Sequence, residues 1–129
     1  MNQKVVIGTP AYDGRVHVTY ALMLLDIHER LVEKGHQYII RIPTQGSLFV
    51  SNRNKLIQMF WESEADWMVC IDSDLSFNAD HILEVMESNV DVFAGVYPLR
   101  DKSTFVFRPD TFEDGRIKID EKTDYLKLQ

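Results

Sequence analysis

Brief apolar runs alternating with helix-period segments constrain this chain more than any other feature. Val5-Val6-Ile7, Tyr38 to Ile42 and Trp67 to Ile71 are short and β-prone, and each stops at a turn signal: Gly8 and Pro10, Pro43, and Asp72. Between the first two, Val16, Tyr20, Met23, Leu24, Ile27 and Leu31 recur at helical spacing. Asp26, Glu29, Arg30, Glu33 and Lys34 cover the other face, with Asp13 as the expected cap and Gly35 as the stop. Between the second and third runs, Ser51 is the expected cap of a helix that buries Leu56, Ile57, Phe60 and Trp61. Asn78 should cap a third helix over 79–88 carrying Ile82, Leu83, Val85 and Met86, and Val92-Phe93-Ala94 reads as a fourth short strand. Such alternation specifies an α/β fold, a Rossmann-like layer whose mainly parallel sheet is joined by right-handed crossovers. After Pro98 the pattern changes. Thr104 to Phe107 and Arg116 to Ile119 flank the turn signal Asp114-Gly115, so the tail is expected to form an antiparallel β-hairpin appendix.

A chain of 129 residues, 45% of them hydrophobic, makes one globular domain and buries a single core. The formal charge of -6 and the lack of a basic stretch argue against a nucleic-acid partner. Cys70 is the lone cysteine; inside the third run it is expected as a small buried thiol, and no disulfide can form within one chain. That suits a reducing compartment. No signal-peptide stretch opens the sequence, and the longest apolar run, Ala21 to Leu25, is too short to span a bilayer. A cytoplasmic protein without a transmembrane segment is the expectation.

The chemistry gathers at Cys70-Ile71-Asp72-Ser73-Asp74, where an Asp-x-Asp pair directly follows the third apolar run. Taken alone, Asp72 and Asp74 read as turn residues leading to the next helix. At the carboxyl end of a central strand, however, they stand where open α/β sheets bind ligands, and an alternating pair attracts a hard cation and, through it, phosphate. Two further segments reach the same edge: Thr9-Pro10-Ala11-Tyr12-Asp13 after the first strand, and Arg53-Asn54 at the expected start of the second helix. Arg53 and Lys55 in a first helical turn oppose the macrodipole, a penalty that a nearby anion such as a diphosphate would reverse.

The order Pro10-Ala11-Tyr12-Asp13, Arg53-Asn54, Ile71-Asp72-Ser73-Asp74 resembles the donor half of a family 2-like nucleotide-diphospho-sugar transferase, a glycosyltransferase of the type A (GT-A) fold. The resemblance spans roughly residues 4 to 100 and rests on the order and spacing of three motifs, each weak by itself. It implies a three-layer sandwich in a single domain, with residues 1–100 as the donor-binding core and 101–129 as the appendix. It further implies a metal-dependent hexosyltransferase that takes a nucleoside-diphosphate sugar and passes the sugar to an unknown acceptor. Asp74 would be the metal carboxylate, with Asp72 sharing the metal or contacting the ribose, and these two would form the catalytic pair around Mn²⁺ or Mg²⁺. Tyr12 would lie against the base, Thr9 and Pro10 would shape the base and ribose pocket, and Asp13, Arg53 and Asn54 would complete the substrate-binding set. Thr44, Gln45 and Ser47 stand where many family members carry a base-reading acidic residue, which leaves the base open.

After Asp74 the acceptor side offers His81, the carboxylates Glu113-Asp114, and Arg100 and Lys102 beyond the fourth strand. Dimerisation through the 104–119 hairpin would supply a missing wall, making a homo-oligomer one arrangement of this chain. Two alternatives share the constellation: a non-catalytic sugar-nucleotide binding module, and a nucleotidyltransferase that would release pyrophosphate. Other chemistries lack their residues. His28-Glu29-Arg30-Leu31-Val32 has valine where a zincin needs its second histidine, and His17, His28, His36 and His81 read as surface or helix-end residues. Neither phosphate-binding glycine fingerprint follows the first strand, and Gly8-Thr9-Pro10 lacks the acidic cluster of a phosphoacceptor domain.

Overall fold

A computed structural model describes residues 2–11, 13–44, 49–88, 90–95, 118–120 and 125–127. The chain forms two compact units, Met1–Asn89 and Val90–Gln129. The first contains β1 (Lys4–Gly8), α1 (Val18–Glu33), β2 (Gln37–Arg41), α2 (Phe49–Ser63), β3 (Trp67–Cys70) and α3 (Asp80–Glu87). Its strands make a parallel sheet in the order β2-β1-β3, with Val5 level with Tyr38 on one side and Trp67 on the other. The α/β class and the parallel sheet read from the alternation are thus present, as three strands and three helices.

Side-chain alternation along β1 divides the packing. Val5 and Ile7 join Tyr20, Met23, Ile27 and Leu31 of α1 and Ile82, Leu83 and Met86 of α3 in one core. Val6 and Gly8 look the other way, toward α2. A Cβ built on Gly8 would lie 3.0 Å from Leu56 Cδ2, so this glycine admits α2 to the sheet as well as ending the strand. The chain moves from β1 to β2 and then back across β1 to β3, and right-handed crossovers in opposite directions put α1 and α2 on opposite faces.

Helix α1 ends as its sequence suggests and begins elsewhere. Gly35 sits at φ +73°, its N–H bonds to Val32 O at 3.0 Å and the His36 N–H bonds to Leu31 O at 2.9 Å, the paired bonds of a Schellman stop. The cap is His17 rather than Asp13: His17 Nδ1 accepts from the Thr19 N–H, while Asp13 Oδ1 is used two residues on by the Arg15 N–H at 3.0 Å. That local turn competes with capping, so Val16 stays outside the helix. The N-cap of α3 is Ala79, without a side-chain cap bond, and Asn78 acts from one position further out, its Oδ1 accepting the Asp80 N–H at 3.0 Å.

Helix α2 departs from expectation in two ways. It starts at Phe49, so Ser51 is an internal residue, and its buried positions are Asn52 and Leu56 rather than the Ile57 and Trp61 stripe. Phe60 is half-buried, but Trp61 is 83% exposed and lines an open groove of about 400 Å³ with Asn54, Ile57, Gln58 and Glu62. The outer stripe is the more apolar of the two, yet the approach of Leu56 to Gly8 turns the Asn52–Leu56 face inward.

Two strand expectations are also revised. Val92-Phe93-Ala94 is irregular, with Val92 exposed. Cys70 is exposed rather than buried, since it ends β3, the outermost strand of the order β2-β1-β3. In the second unit, β4 (Lys118–Asp120) pairs antiparallel with β5 (Tyr125–Lys127), Ile119 opposite Leu126. The expected strand at 104–107, the turn at Asp114-Gly115, and Arg116 and Ile117 lie outside the described residues.

Leu56→Ala should lower the unfolding free energy by about 2–5 kcal/mol, as a buried leucine truncation does, whereas Trp61→Ala should stay within about 0.5 kcal/mol. Urea denaturation of the two variants checks which face of α2 is inside; a larger loss for Trp61→Ala would reverse the assignment.

Candidate functional site at the carboxyl edge of the sheet

The loops after β1, β2 and β3 leave the same carboxyl edge of the parallel sheet, the usual ligand side of an open α/β fold. Main-chain bonds fix the loops around it. From the β1–α1 loop, the Thr9 N–H reaches Arg41 O at 2.9 Å and the Ala11 N–H reaches Pro43 O at 3.1 Å, tying this loop to the end of β2. On the other side the Ile71 N–H bonds to Gly8 O at 3.0 Å, and the His17 N–H bonds to Ser73 O at 2.8 Å. Asp72-Ser73-Asp74-Leu75 is a turn closed by the Leu75 N–H on Asp72 O at 3.1 Å. The turn expected at these aspartates is thus present.

One side-chain contact joins elements far apart in sequence. Arg53 Nη2 of α2 donates to Asp72 Oδ1 at 3.0 Å, with the two side chains 36% and 38% exposed. Because α2 begins at Phe49, Arg53 belongs to its second turn, where the macrodipole penalty has faded. The basic residue is thus accounted for by the Asp72 carboxylate rather than by a helix end.

The remaining expected site residues divide. Pro10 is half-buried in the β1–α1 loop, and Asp13 and Asp74 are exposed, Asp74 in the turn after β3. Thr9 is fully buried, and its Oγ1 shares a 2.5 Å hydrogen bond with Tyr20 Oη, so the hydroxyl secures α1 to β1 from inside the core. Burial pushes the Tyr20 phenol up, with the Thr9 bond opposing. Asn54, one residue beyond Arg53, is carried about 100° round the helix and lines the outer groove with Trp61. Tyr12, Gln45, Ser47, Arg100, Lys102, Glu113 and Asp114 lie outside the described residues. His17 is the exposed helix-end residue its sequence suggests, and it adds two contacts that the sequence does not signal: its Nδ1 caps α1 and its N–H bonds to Ser73 O.

Asp72 and Asp74 are hard oxygen donors leaving one turn, and among the described residues no group of three or more His, Cys, Asp or Glu side chains gathers. Two carboxylates, with the remaining positions taken by water and phosphate oxygens, suit Mg²⁺ or Mn²⁺. Among the described residues, no helix is long and apolar enough to cross a membrane. Comparison with protein-family models, with curated proteins and with solved structures gave no match.

Cys70, at the end of β3, reports on the same charges. Although Cys70 is exposed as a residue, the protein packed on one side of its thiol withholds part of its water and pushes its pKa up, the Arg53 guanidinium pulls it back, and the Asp72 carboxylate raises it again. Thiol alkylation followed against pH should therefore have its midpoint above the ordinary cysteine range. Asp72→Asn should move it down and Arg53→Met further up, because thiolate is the reacting form. Shifts of the opposite sign would show that Cys70 does not sense this pair.

Proposed function

We propose that the carboxyl edge of the sheet binds a nucleoside-diphosphate sugar through a divalent cation and that the protein is a metal-dependent glycosyltransferase of the type A fold. The observation that carries this reading is the Arg53–Asp72 contact, which joins two of the three motif segments at the switch point of a parallel sheet. Asp74 and Asp72 would hold Mn²⁺ or Mg²⁺. When bound, such an ion stabilises negative charge on the departing diphosphate as a Lewis acid.

The protein's own residues have separable tasks. Arg53 fixes one oxygen of Asp72 and brings a positive charge to an edge where two aspartates would otherwise repel phosphate. The His17–Ser73 bond holds the β3 turn to the start of α1, and the buried Thr9–Tyr20 pair holds that start to the sheet. A donor would therefore meet a preformed edge rather than order one on binding. Less ordering at the moment of binding leaves more of the contact energy as affinity.

Nucleoside diphosphates should bind with a strong requirement for Mn²⁺ or Mg²⁺, and Asp74→Ala should remove the metal dependence while leaving the fold intact by circular dichroism. Titration calorimetry with metal and with chelator checks this, and equal affinity in both would overturn the metal assignment. Product analysis with nucleotide sugars then separates the activities: free nucleoside diphosphate marks sugar transfer, pyrophosphate marks nucleotidyl transfer, and tight binding with no product marks a binding module.

A further inference from the structure

The turn that carries the two aspartates is tied to helices on both faces of the sheet. From α2, Arg53 Nη2 donates to Asp72 Oδ1 at 3.0 Å. From α1, the His17 N–H donates to Ser73 O at 2.8 Å, and the Met23 sulfur accepts the Phe77 N–H at 3.2 Å just beyond the turn. The carbonyl taken by His17 belongs to the peptide that links Ser73 to Asp74, while the Leu75 N–H closes the turn on Asp72 O. His17 is itself fixed by the helix it starts. Its φ of -70° and ψ of 145° are extended, its carbonyl accepts the Ala21 N–H at 3.1 Å, and its Nδ1 accepts the Thr19 N–H. Ring and carbonyl are thus committed to α1, and the N–H points out of the helix to the β3 turn.

We infer that His17 is the positioning residue of the Asp72–Asp74 pair, acting through its main-chain N–H rather than its imidazole. Arg53 sets the Asp72 carboxylate directly. The His17 bond sets the plane of the Ser73–Asp74 peptide, and with it the direction in which Asp74 leaves the turn. The consequence for a divalent cation rests on the reading of these aspartates given above: an ion held by two carboxylates loses affinity when the turn between them must be ordered as it binds.

Three substitutions separate the N–H from the ring. Proline fits the φ of -70° and removes both the N–H and the ring cap, alanine removes the cap alone, and asparagine keeps both. In the full chain without metal, hydrogen exchange at the Leu75 N–H should be about three- to tenfold faster in His17→Pro, the worth of one hydrogen bond, and within about twofold of the unaltered protein in His17→Ala and His17→Asn. Mn²⁺ affinity, followed by loss of the free-ion paramagnetic resonance signal, should fall by a similar factor in His17→Pro only. Unchanged Leu75 exchange in His17→Pro would overturn the proposal, and so would equal effects of proline and alanine, which would give the role to the helix cap. An unaltered chain that binds no Mn²⁺, while His17→Pro still speeds Leu75 exchange, would remove the metal reading and uphold the positioning role. If His17→Pro fails to fold by circular dichroism, the unaltered chain decides: the His17 and Leu75 amides should lose protection together as urea is added below the unfolding transition. A His17 amide far less protected than that of Leu75 would then overturn the role.

Discussion

Every element of the first unit is placed by its relation to β1. The strand is hydrogen-bonded along both edges, to β2 and to β3, and packed on both faces, by α1 and α3 on one side and by α2 on the other. Val5, Val6 and Ile7 are essentially without solvent contact, and each such side chain contributes about 1.5–3 kcal/mol on burial. A central strand buried on both faces reads as a continuous apolar run instead of an alternating one, and β1 has that form. Gly8 extends the constraint to α2, because its missing side chain is the space that Leu56 occupies.

The candidate site inherits its geometry from this strand. Loops leaving the carboxyl ends of β1, β2 and β3 emerge side by side, and main-chain bonds from Thr9, Ala11, His17 and Ile71 stitch them together. The backbone groups of the edge are thereby committed to one another, while the carboxylates of the Asp72–Asp74 turn are left as the chemically distinctive part. The Arg53–Asp72 pair is partly exposed, so its contribution to stability is at most about 1 kcal/mol. Its consequence is positional: it draws α2 and the β3 turn into one electrostatic unit to which Cys70 also responds.

The outer faces of α1 and α2 show that a helix can satisfy the core and still carry a second apolar stripe. On α2 that stripe lines a groove with Asn54, Gln58 and Glu62; on α1 it runs through Val18, Leu22, Leu25 and Val32, each exposed. Periodicity identifies both stripes equally well. What distinguishes inner from outer is the shape of the opposing surface, such as the gap at Gly8 that accepts Leu56 and would not accept Trp61.

Local chemistry alone determined most elements: the three apolar runs in residues 5–7, 38–42 and 67–71 as strands, the Tyr20-Met23-Ile27-Leu31 face, the Gly35 stop and the parallel α/β class were legible in the sequence. So was the Asp72–Asp74 turn, because a strand followed by closely spaced aspartates has few alternatives. Tertiary structure decided what depends on two distant segments meeting. It moved the α1 cap from Asp13 to His17, since Asp13 closes its own turn, and turned Asn54 outward while Arg53 reached Asp72. It withdrew Thr9 into the core as the partner of Tyr20, and left Cys70 exposed at the end of an outer strand. In each case the residue type permitted two environments of similar local energy, and only the packing against another part of the chain separated them.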